Sequence, residues 1–378
     1  PNARFDLAAV NDLFSRAFSA GFYYKTFMRP MSFWPLYERA IRASAGFGRT
    51  PKQADPDRYE HCNAHCDVLV AGGGPAGLMA ALAAAEAGAR VILADEQNEF
   101  GGTLLATADA AESAWLQQTV SALAAHDGVT LLPRGTVFGY YDHNFLAVAE
   151  RCTDHLPEAE RRGVRQRLWR VRAKQVVLAQ GAFERPLAFC NNDRPGVMLA
   201  SAVSRYLGRY AVRPGRRAVV FTNNDSAYQA ALDLAKAGSS VIVVDSRAGG
   251  AGWLGEKVLE AGIPVLAGHI VTNVLGRRRV EGVRVAAWSG DVSRSVESSI
   301  GIECDLLAMS GGWSPAVHLH SQAGGRNSWD EDLQCFVPAE PAQANTSAGA
   351  CNGKWSLRDC LQDGLEAGKT AASRCGLD

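Results

Sequence analysis

The clearest pattern of apolar and polar positions in the chain lies between residues 67 and 96. A short apolar run, Val68–Ala71, predicts a buried strand, and the alanine-rich stretch after it predicts a helix. A second apolar run, Val91–Ala94, predicts another strand, which ends at Asp95. Three glycines join the first strand to the helix: Gly72, Gly74 and Gly77. This order predicts a βαβ unit of the Rossmann type, which binds a dinucleotide.

Each glycine has its own physical role in such a unit. Gly72 permits the tight turn, Gly74 lets the backbone approach a pyrophosphate, and Gly77 allows the helix to pack closely on the strand. Pro75 and Ala76 begin the helix, whose N-terminus offers free N–H groups and a favourable dipole to the phosphates.

The end of the second strand predicts the contact with the ribose. Asp95 lies eighteen residues after Gly77, where a carboxylate accepts hydrogen bonds from the adenosine ribose, and Glu96 is its nearest rival. A carboxylate there disfavours a 2′-phosphate, so we expect NAD and not NADP. By analogy with the wider fold, five further residues are expected near the nucleotide, the first three beside the phosphates and the next two at the adenine edge: Gly101, Gly102, Thr103, Thr136 and Val137.

A second βαβ pattern follows later in the chain. Ala218–Phe221 predicts a strand, Ser226–Lys236 a helix, and Val241–Asp245 a strand that ends in an acid. The positions of the three glycines are taken here by Thr222, Asn224 and Ala227. Their side chains crowd the space that a pyrophosphate needs, so nucleotide binding is expected only in the first unit.

Outside the two units, the sequence pattern predicts helices at 35–45, 111–125 and 357–372 and a strand at 168–171. Two buried strands, in residues 176–181 and at 306–310, end on glycine turns and predict crossings between domains, one at Gly181 and one at Gly311–Gly312. We therefore predict an α/β fold with two nested Rossmann-like dinucleotide-binding domains of the glutathione reductase type and an N-terminal aromatic docking segment. The docking segment and linker take residues 1–65, and residues 49–59 of this stretch are read as the linker. The first domain takes residues 66–200 and 305–378, and the second, degenerate domain takes residues 201–304.

Composition narrows the function further. The 378 residues contain 39 Lys and Arg against 39 Asp and Glu, so no net charge favours nucleic acid or an anionic membrane. No apolar run is long enough to span a bilayer, and the first residues do not resemble a signal peptide. Nine scattered cysteines suit free thiols in a reducing compartment. We expect a cytoplasmic protein with no nucleic-acid or membrane partner.

Several other residues suggest chemistry without a supporting pattern. His61, Cys62, His65 and Cys66 lie close together, but no second ligand pair follows, so no metal site is predicted. His318 and His320 share a face if the segment is extended, and a structural or interface role is favoured for both. Cys190 is expected to be inert, Glu184 and Arg185 to brace the domain crossing, and Arg185 and Arg194 are alternatives for contact with a partner's flavin phosphate.

Six stretches resemble the alpha-subunit family of heterotetrameric sarcosine oxidases. They are residues 4–6, the aromatic stretch 20–28, and 65–70, 192–198, 311–315 and 347–350. This resemblance implies a multi-subunit flavoenzyme that oxidises sarcosine to glycine, passes the methyl carbon to tetrahydrofolate or releases formaldehyde, and forms hydrogen peroxide. It also implies NAD in this chain, FAD and FMN on or shared with a beta-type partner subunit, and further small subunits.

The chain departs from the family pattern in two ways. The family's ferredoxin-like and folate-binding portions are not among these residues, so the chain resembles a central fragment. Flavin reductases of this architecture end their last strand with Gly-Asp, whereas residues 347–353 carry no acid. The alternatives are a self-sufficient FAD-dependent oxidoreductase with its flavin near Gly181 and Gly311, an alpha-type subunit of a proline or opine dehydrogenase, and a scaffold with a vestigial nucleotide site.

Overall fold

The computed structural model describes residues 10, 13, 14, 16, 21, 29–46, 48, 51–250, 252–288 and 299–377. The chain divides into two compact units, Pro1–Asp57 and Arg58–Asp378. In the smaller unit, helix α1 spans Trp34–Ser44, where a helix over 35–45 is predicted. Within the predicted docking segment, the aromatic residues 22–28 lie outside the described residues.

The larger unit begins with a mixed sheet and the helices that cover it. In chain order the elements are β1 Arg58–Ala71, α2 Pro75–Glu86, β2 Val91–Asp95, α3 Ala110–Ala125, β3 Val129–Pro133, β4 Gly135–Tyr141, β5 Phe145–Arg151 and β6 Val164–Leu178. The strand order is β3-β2-β1-β6-β5-β4. Strands β3, β2, β1 and β6 are parallel, while β4, β5 and β6 form an antiparallel meander.

The second half of the larger unit repeats this plan. Its elements are β7 Ala182–Glu184, β8 Val197–Leu199, α4 Ala200–Tyr210, β9 Arg217–Thr222, α5 Ala227–Lys236, β10 Ser240–Asp245, α6 Trp253–Glu260, β11 Val265–Ala267, β12 His269–Leu275, β13 Gly282–Ala287, β14 Ile300–Glu303 and β15 Leu306–Ser310. Strands β11-β10-β9-β15-β8 form a parallel sheet, and β12-β13-β14 form a separate antiparallel one.

The chain then returns to the first sheet. The last elements are β16 Trp313–Pro315, α7 His318–Gln322, β17 Asn327–Asp330, β18 Cys335–Pro338, β19 Asn345–Ser347 and α8 Leu357–Arg374. Strand β19 pairs in parallel with the end of β6. Helix α8 crosses α2 very closely. A Cβ atom added at Gly364 would lie 2.2 Å from the Ala76 carbonyl oxygen, and one added at Gly368 would lie 2.3 Å from that of Ala80. The α/β fold, with one mixed sheet and one parallel sheet, agrees with the predicted fold class, whereas the domain boundaries stay a prediction.

The first strand is longer than its apolar run predicts. It begins at Arg58, ten residues before Val68, because β1 pairs with β6 along nearly its whole length. The side chains of residues 58–65 are exposed or half-buried, so their polar character hides the strand in the sequence. For the same reason the predicted strand at 168–171 is part of β6, and the last two residues of the predicted linker belong to β1.

Candidate nucleotide-binding site

The predicted glycine turn lies at the carboxyl end of β1, beside the ends of β2 and β6. Gly72 has φ +105°. A Cβ atom added there would lie only 2.3 Å from the carbonyl oxygen of Ala179, just after β6. A Cβ at Gly77 lies 1.8 Å from the carbonyl oxygen of Gly72. Both positions therefore require glycine, because the backbone of the turn packs directly against neighbouring backbone.

Gly74 has a different environment. A Cβ there meets only the Cα of Gly102, at 4.0 Å, so the space in front of this glycine is open. Gly74 is also the N-cap of α2, and no side chain caps the helix. The first turn of α2 begins with Pro75, which has no N–H, and continues with Ala76. The N–H groups after Pro75 therefore have no side-chain acceptor, and an anion can accept hydrogen bonds from them. These residues fit a dinucleotide pyrophosphate, since they combine close backbone approach with free donors. We call residues 72–77 the cradle.

A second glycine turn closes one side of the cradle. The N–H of Gly101 donates to the carbonyl oxygen of Gly73 at 2.7 Å. A Cβ at Gly102 lies 2.9 Å from the Cα of Gly74, and Thr103 lies exposed in the 3₁₀ helix Gly102–Ala106. The structure thus brings residues 101 and 102 against the cradle, with Thr103 next along the chain, and their contact with the phosphates stays a prediction.

Asp95 is bonded to the cradle itself. Its carboxylate accepts from the N–H of Gly73 at 2.6 Å and from that of Gln97 at 2.7 Å. Burial raises the pKa of Asp95 above its ordinary value. Each carboxylate oxygen keeps one more acceptor position, so the side chain can still bind a ribose hydroxyl. Glu96, the rival residue, is exposed.

Sequence reasoning missed the role of Gly73. A Cβ there lies 2.3 Å from the Cδ1 of Phe100, and the Gly73 N–H is the one that Asp95 accepts. The signal was present in the sequence, because three consecutive glycines are one more than the fingerprint requires at that place.

The remaining predicted site residues lie away from the cradle turn. Thr136 and Val137 are half-buried on β4, with their backbone paired to β5. Gly181 has φ +77° between β6 and β7, and its carbonyl oxygen accepts from the N–H of Ala316 at 2.9 Å. Their contact with a nucleotide stays a prediction.

In the second βαβ unit, side chains fill the corresponding turn. Asn224 accepts from the N–H of Ser226 at 3.1 Å and donates to the Ser310 hydroxyl at 3.0 Å. The Thr222 hydroxyl donates to the Asn224 carbonyl oxygen at 2.9 Å, and the Trp313 indole donates to the Ser226 hydroxyl at 2.9 Å. The start of α5 therefore has its own acceptor, and the space of a pyrophosphate is occupied.

The acid of the second unit is also engaged. Asp245 is fully buried, accepts from the Tyr228 hydroxyl at 2.9 Å, and pairs with Arg247 at 2.7 Å. Hydrogen bonding to Asp245 raises the pKa of Arg247. This carboxylate has a complete set of protein partners, whereas that of Asp95 has only backbone donors.

Two histidines singled out in the sequence lie outside the cradle. His318 and His320 lie in helix α7 and not on an extended segment, so they do not share a face. His318 stacks on Phe183 at 5.5 Å between ring centroids, and His320 is buried with Nε2 3.0 Å from the Arg326 carbonyl oxygen. The condition of an extended segment is not met, because residues 318–322 form one helical turn after β16.

The residues at the domain crossing make the following contacts. Glu184 is buried and accepts from the N–H of Ser201 at 2.8 Å, while Arg185 donates to the carbonyl oxygen of Gln334 at 2.8 Å. Cys190 is exposed. The Arg194 N–H donates to the Asn191 carbonyl oxygen at 3.3 Å. Within the described residues, no cluster of three metal-ligating side chains occurs.

The turn after β19 takes its acid from another element. The N–H of Gly349 donates to the carboxylate of Asp363 on α8 at 2.7 Å, and the Asn352 amide donates to the same oxygen at 3.2 Å. A Cβ at Gly349 lies 2.5 Å from that of Ala76, so this turn packs against the start of α2.

Comparisons with known proteins agree with this geometry. The family model described as pyridine nucleotide-disulphide oxidoreductase matches residues 66–333. The sarcosine oxidase subunit alpha of Rhizobium meliloti (strain 1021) is 40% identical and covers 100% of this chain, which spans 38% of that protein. The sarcosine oxidase subunit alpha of Corynebacterium sp. (strain U-96) is 42% identical over 88% of this chain and 35% of its own length. The chain therefore spans little more than a third of these relatives.

Two solved structures share the fold. The L-proline dehydrogenase of P. horikoshii matches with a TM-score of 0.62 and 20% identity, over 87% of this chain and 59% of that one. The thioredoxin reductase of T. acidophilum matches with a TM-score of 0.63 and 17% identity, over 82% of this chain and 98% of that one. In the described part of the chain, no helix has the length and apolar character needed to cross a membrane.

Proposed function

The chain belongs to the pyridine nucleotide-disulphide oxidoreductase family, and from that premise we propose that it is the NAD-holding part of an alpha-type subunit in a sarcosine-oxidising flavoenzyme. The observation that carries this proposal is the contrast between the two βαβ units. The first has an open, uncapped cradle with a carboxylate beside it, and the second has the same turn filled.

The residues that would hold NAD are those of the sequence prediction. Gly72, Gly74 and Gly77 form the turn, and the start of α2 offers N–H groups to the pyrophosphate. Asp95, with Glu96 as the alternative, accepts from the ribose. The remaining proposed contacts are Gly101, Gly102, Thr103, Thr136, Val137 and Gly181. When bound, NAD supplies a hydride acceptor, while this chain binds and orients it.

The cysteines support a role without disulfide exchange. All nine are free thiols, and burial raises the pKa of Cys66, Cys304 and Cys351 to about 12. Thiolates are the reactive form in disulfide exchange, so these three thiols stay protonated and inert near neutral pH. The disulphide chemistry in the family's description is therefore not proposed for this chain.

The oxidation of sarcosine is assigned to a partner. We propose that a beta-type subunit carries FAD, shares FMN with this chain and forms a heterotetramer with smaller subunits in the cytoplasm. The products would be glycine, hydrogen peroxide and the methyl carbon as formaldehyde or a folate adduct. The identity of 40% and 42% with sarcosine oxidase alpha subunits supports this proposal.

The test is an absorbance spectrum of the purified chain, followed by acid release and mass spectrometry of the bound nucleotide. We expect released NAD or NAD binding on titration, without the flavin band near ~450 nm, since the flavins belong to the partner. Stoichiometric FAD would overturn the NAD assignment and place the redox centre in this chain. A chain that binds neither nucleotide would favour the scaffold alternative.

A further inference from the structure

Helix α4 belongs to the second half of the large unit but packs against the nucleotide loop of the first. A Cβ atom added at Gly208 would lie 2.0 Å from the carbonyl oxygen of Ala106, in the 3₁₀ helix that follows the second glycine turn, so the two backbones are in close contact. Arg209 donates to the side chains of Asn98 at 2.9 Å and Glu99 at 2.8 Å, and its side chain is only 9% exposed. This packing fixes α4 beside the loop that follows Asp95.

Arg205 lies one helical turn before Arg209, on the same face of α4. It is half-buried, and in the described part of the chain its guanidinium makes no hydrogen bond or ion pair. Its charge nevertheless acts on Asp95, where it lowers the pKa against the larger, opposite effect of burial. Asp95 in turn accepts from Gly73 in the cradle. The region beside Asp95 thus contains a cation that has no partner among the residues the structure describes.

Because the side chain of Arg205 is only half-buried, its guanidinium is within reach of a bound ligand. A dinucleotide would bring the negative charge of a pyrophosphate to the cradle, and guanidinium binds phosphate oxygens through two parallel hydrogen bonds. The carboxylates of Asp95 and Glu96 disfavour a further phosphate on the ribose, so the pyrophosphate is the better match.

We propose that Arg205 is a nucleotide-binding residue, contributed by the second half of the chain, that contacts the pyrophosphate of a dinucleotide held in the cradle. Arg209 is the positioning residue that holds α4 against the loop at 98–99. The inference rests on the proposed function. It gives the degenerate half a role in the site, because NAD would then be held between α2 of one half and α4 of the other.

The test measures NAD binding by calorimetric titration of the whole chain in four forms: unaltered, R205Q, R205K and R217Q. We expect R205Q to raise the Kd for NAD at least about tenfold, the scale of a lost charge-assisted hydrogen bond. R205K keeps the charge and should recover most of the affinity. R217Q is the matched control, since Arg217 pairs with Glu303 at the start of β9, at the opposite end of the sheet strands.

Two results would overturn the proposal while leaving the proposed function intact: an unaltered Kd in R205Q, or an equal loss in R217Q. Failure of the unaltered chain to bind NAD would overturn both. Circular dichroism of each variant separates a binding effect from misfolding, and recovery in R205K shows that the charge at this position acts on the ligand.

Discussion

The two βαβ units of the large unit share strand order and helix placement, yet they treat the same turn in opposite ways. In the first unit, Gly72 and Gly77 pack backbone on backbone, and Gly74 faces open space. In the second, the Thr222 hydroxyl bonds to the Asn224 backbone, the Asn224 side chain bonds to Ser226 and Ser310, and these groups occupy the turn. An open turn of this kind therefore needs two things: residues without side chains in the turn, and backbone N–H groups that have no acceptor in the protein.

The acids at the two strand ends extend the contrast. Asp245 is completely buried and held by Arg247 and Tyr228, so it serves the core. Asp95 is partly exposed and held by backbone N–H groups, so it keeps acceptor capacity for a ligand. The acid of the second unit is therefore satisfied by side chains of its own unit, whereas the acid of the first keeps acceptor positions free.

The largest expected effect comes from the tightest glycine. Gly77→Val should lower the free energy of unfolding by about 3 kcal/mol, because its Cβ would overlap a backbone oxygen that cannot rotate away. The matched change in the second unit, Ala227→Gly, should cost only about 1 kcal/mol. Denaturant unfolding of both variants measures the difference, and equal losses would refute the packing role of Gly77.

The next largest effects concern Asp245 and Asp95, whose replacement by Asn should lower the free energy of unfolding by different amounts. Asp245→Asn should destabilise by about 2 kcal/mol, because it removes the buried carboxylate that accepts from Arg247, although Asp225 still pairs with that guanidinium. Asp95→Asn should cost about 1 kcal/mol, since Asn keeps one oxygen for a backbone N–H but loses the other. Thermal and denaturant unfolding check both values, and a larger loss in Asp95→Asn would reverse the assignment of the two carboxylates.

Gly74 should separate binding from stability. Gly74→Ala places a Cβ in open space at φ −76°, so the free energy of unfolding should change by less than about 1 kcal/mol. The same side chain would block the pyrophosphate and raise the Kd for NAD at least about tenfold. Asn224→Gly is the counterpart in the second unit, and it should create no second NAD site, because Thr222, Ser226 and Trp313 still fill the turn.

The smallest effect concerns pH. Because burial raises the pKa of Asp95, the folded state holds that proton more tightly than the unfolded chain. The contribution of Asp95 to the free energy of unfolding is therefore greatest at low pH and falls as pH rises through the raised pKa. The destabilisation by Asp95→Asn should accordingly be larger in acid than at neutral pH, as measured by unfolding across that range.

Asp67 lies in the same sheet as Asp95 and serves as a control, because its pKa is shifted in the opposite direction. Hydrogen bonding from Arg90 holds the pKa of this carboxyl well below its usual range, and Lys174 pairs with it at 2.9 Å. Its stabilisation is present above the ordinary carboxyl pKa and is lost as pH falls through the lowered one. Asp67→Asn should therefore destabilise most at neutral pH, and the same pH trend in both variants would contradict the assignments.

Local patterns predicted most of the framework. Strand β15 has the bounds 306–310 that the sequence indicates, and the helices at 110–125 and 357–374 begin within one residue of their predicted starts. These elements carry a continuous apolar run or a regular helical pattern, so their own residues specify them. The polar half of β1, by contrast, became a strand only through its pairing with β6.

The sequence by itself determined the two βαβ units, the glycines of the first and their replacements in the second, because turn geometry and strand burial depend on neighbouring residues. Only the tertiary structure decided that Asp95 bonds to Gly73, that Asn224 fills the second turn through Ser310, and that the charge of Arg205 on α4 acts on Asp95. The last two relations join residues 86 and 110 positions apart in the chain. No local pattern encodes such distances, since they follow from the order in which strands enter the sheets.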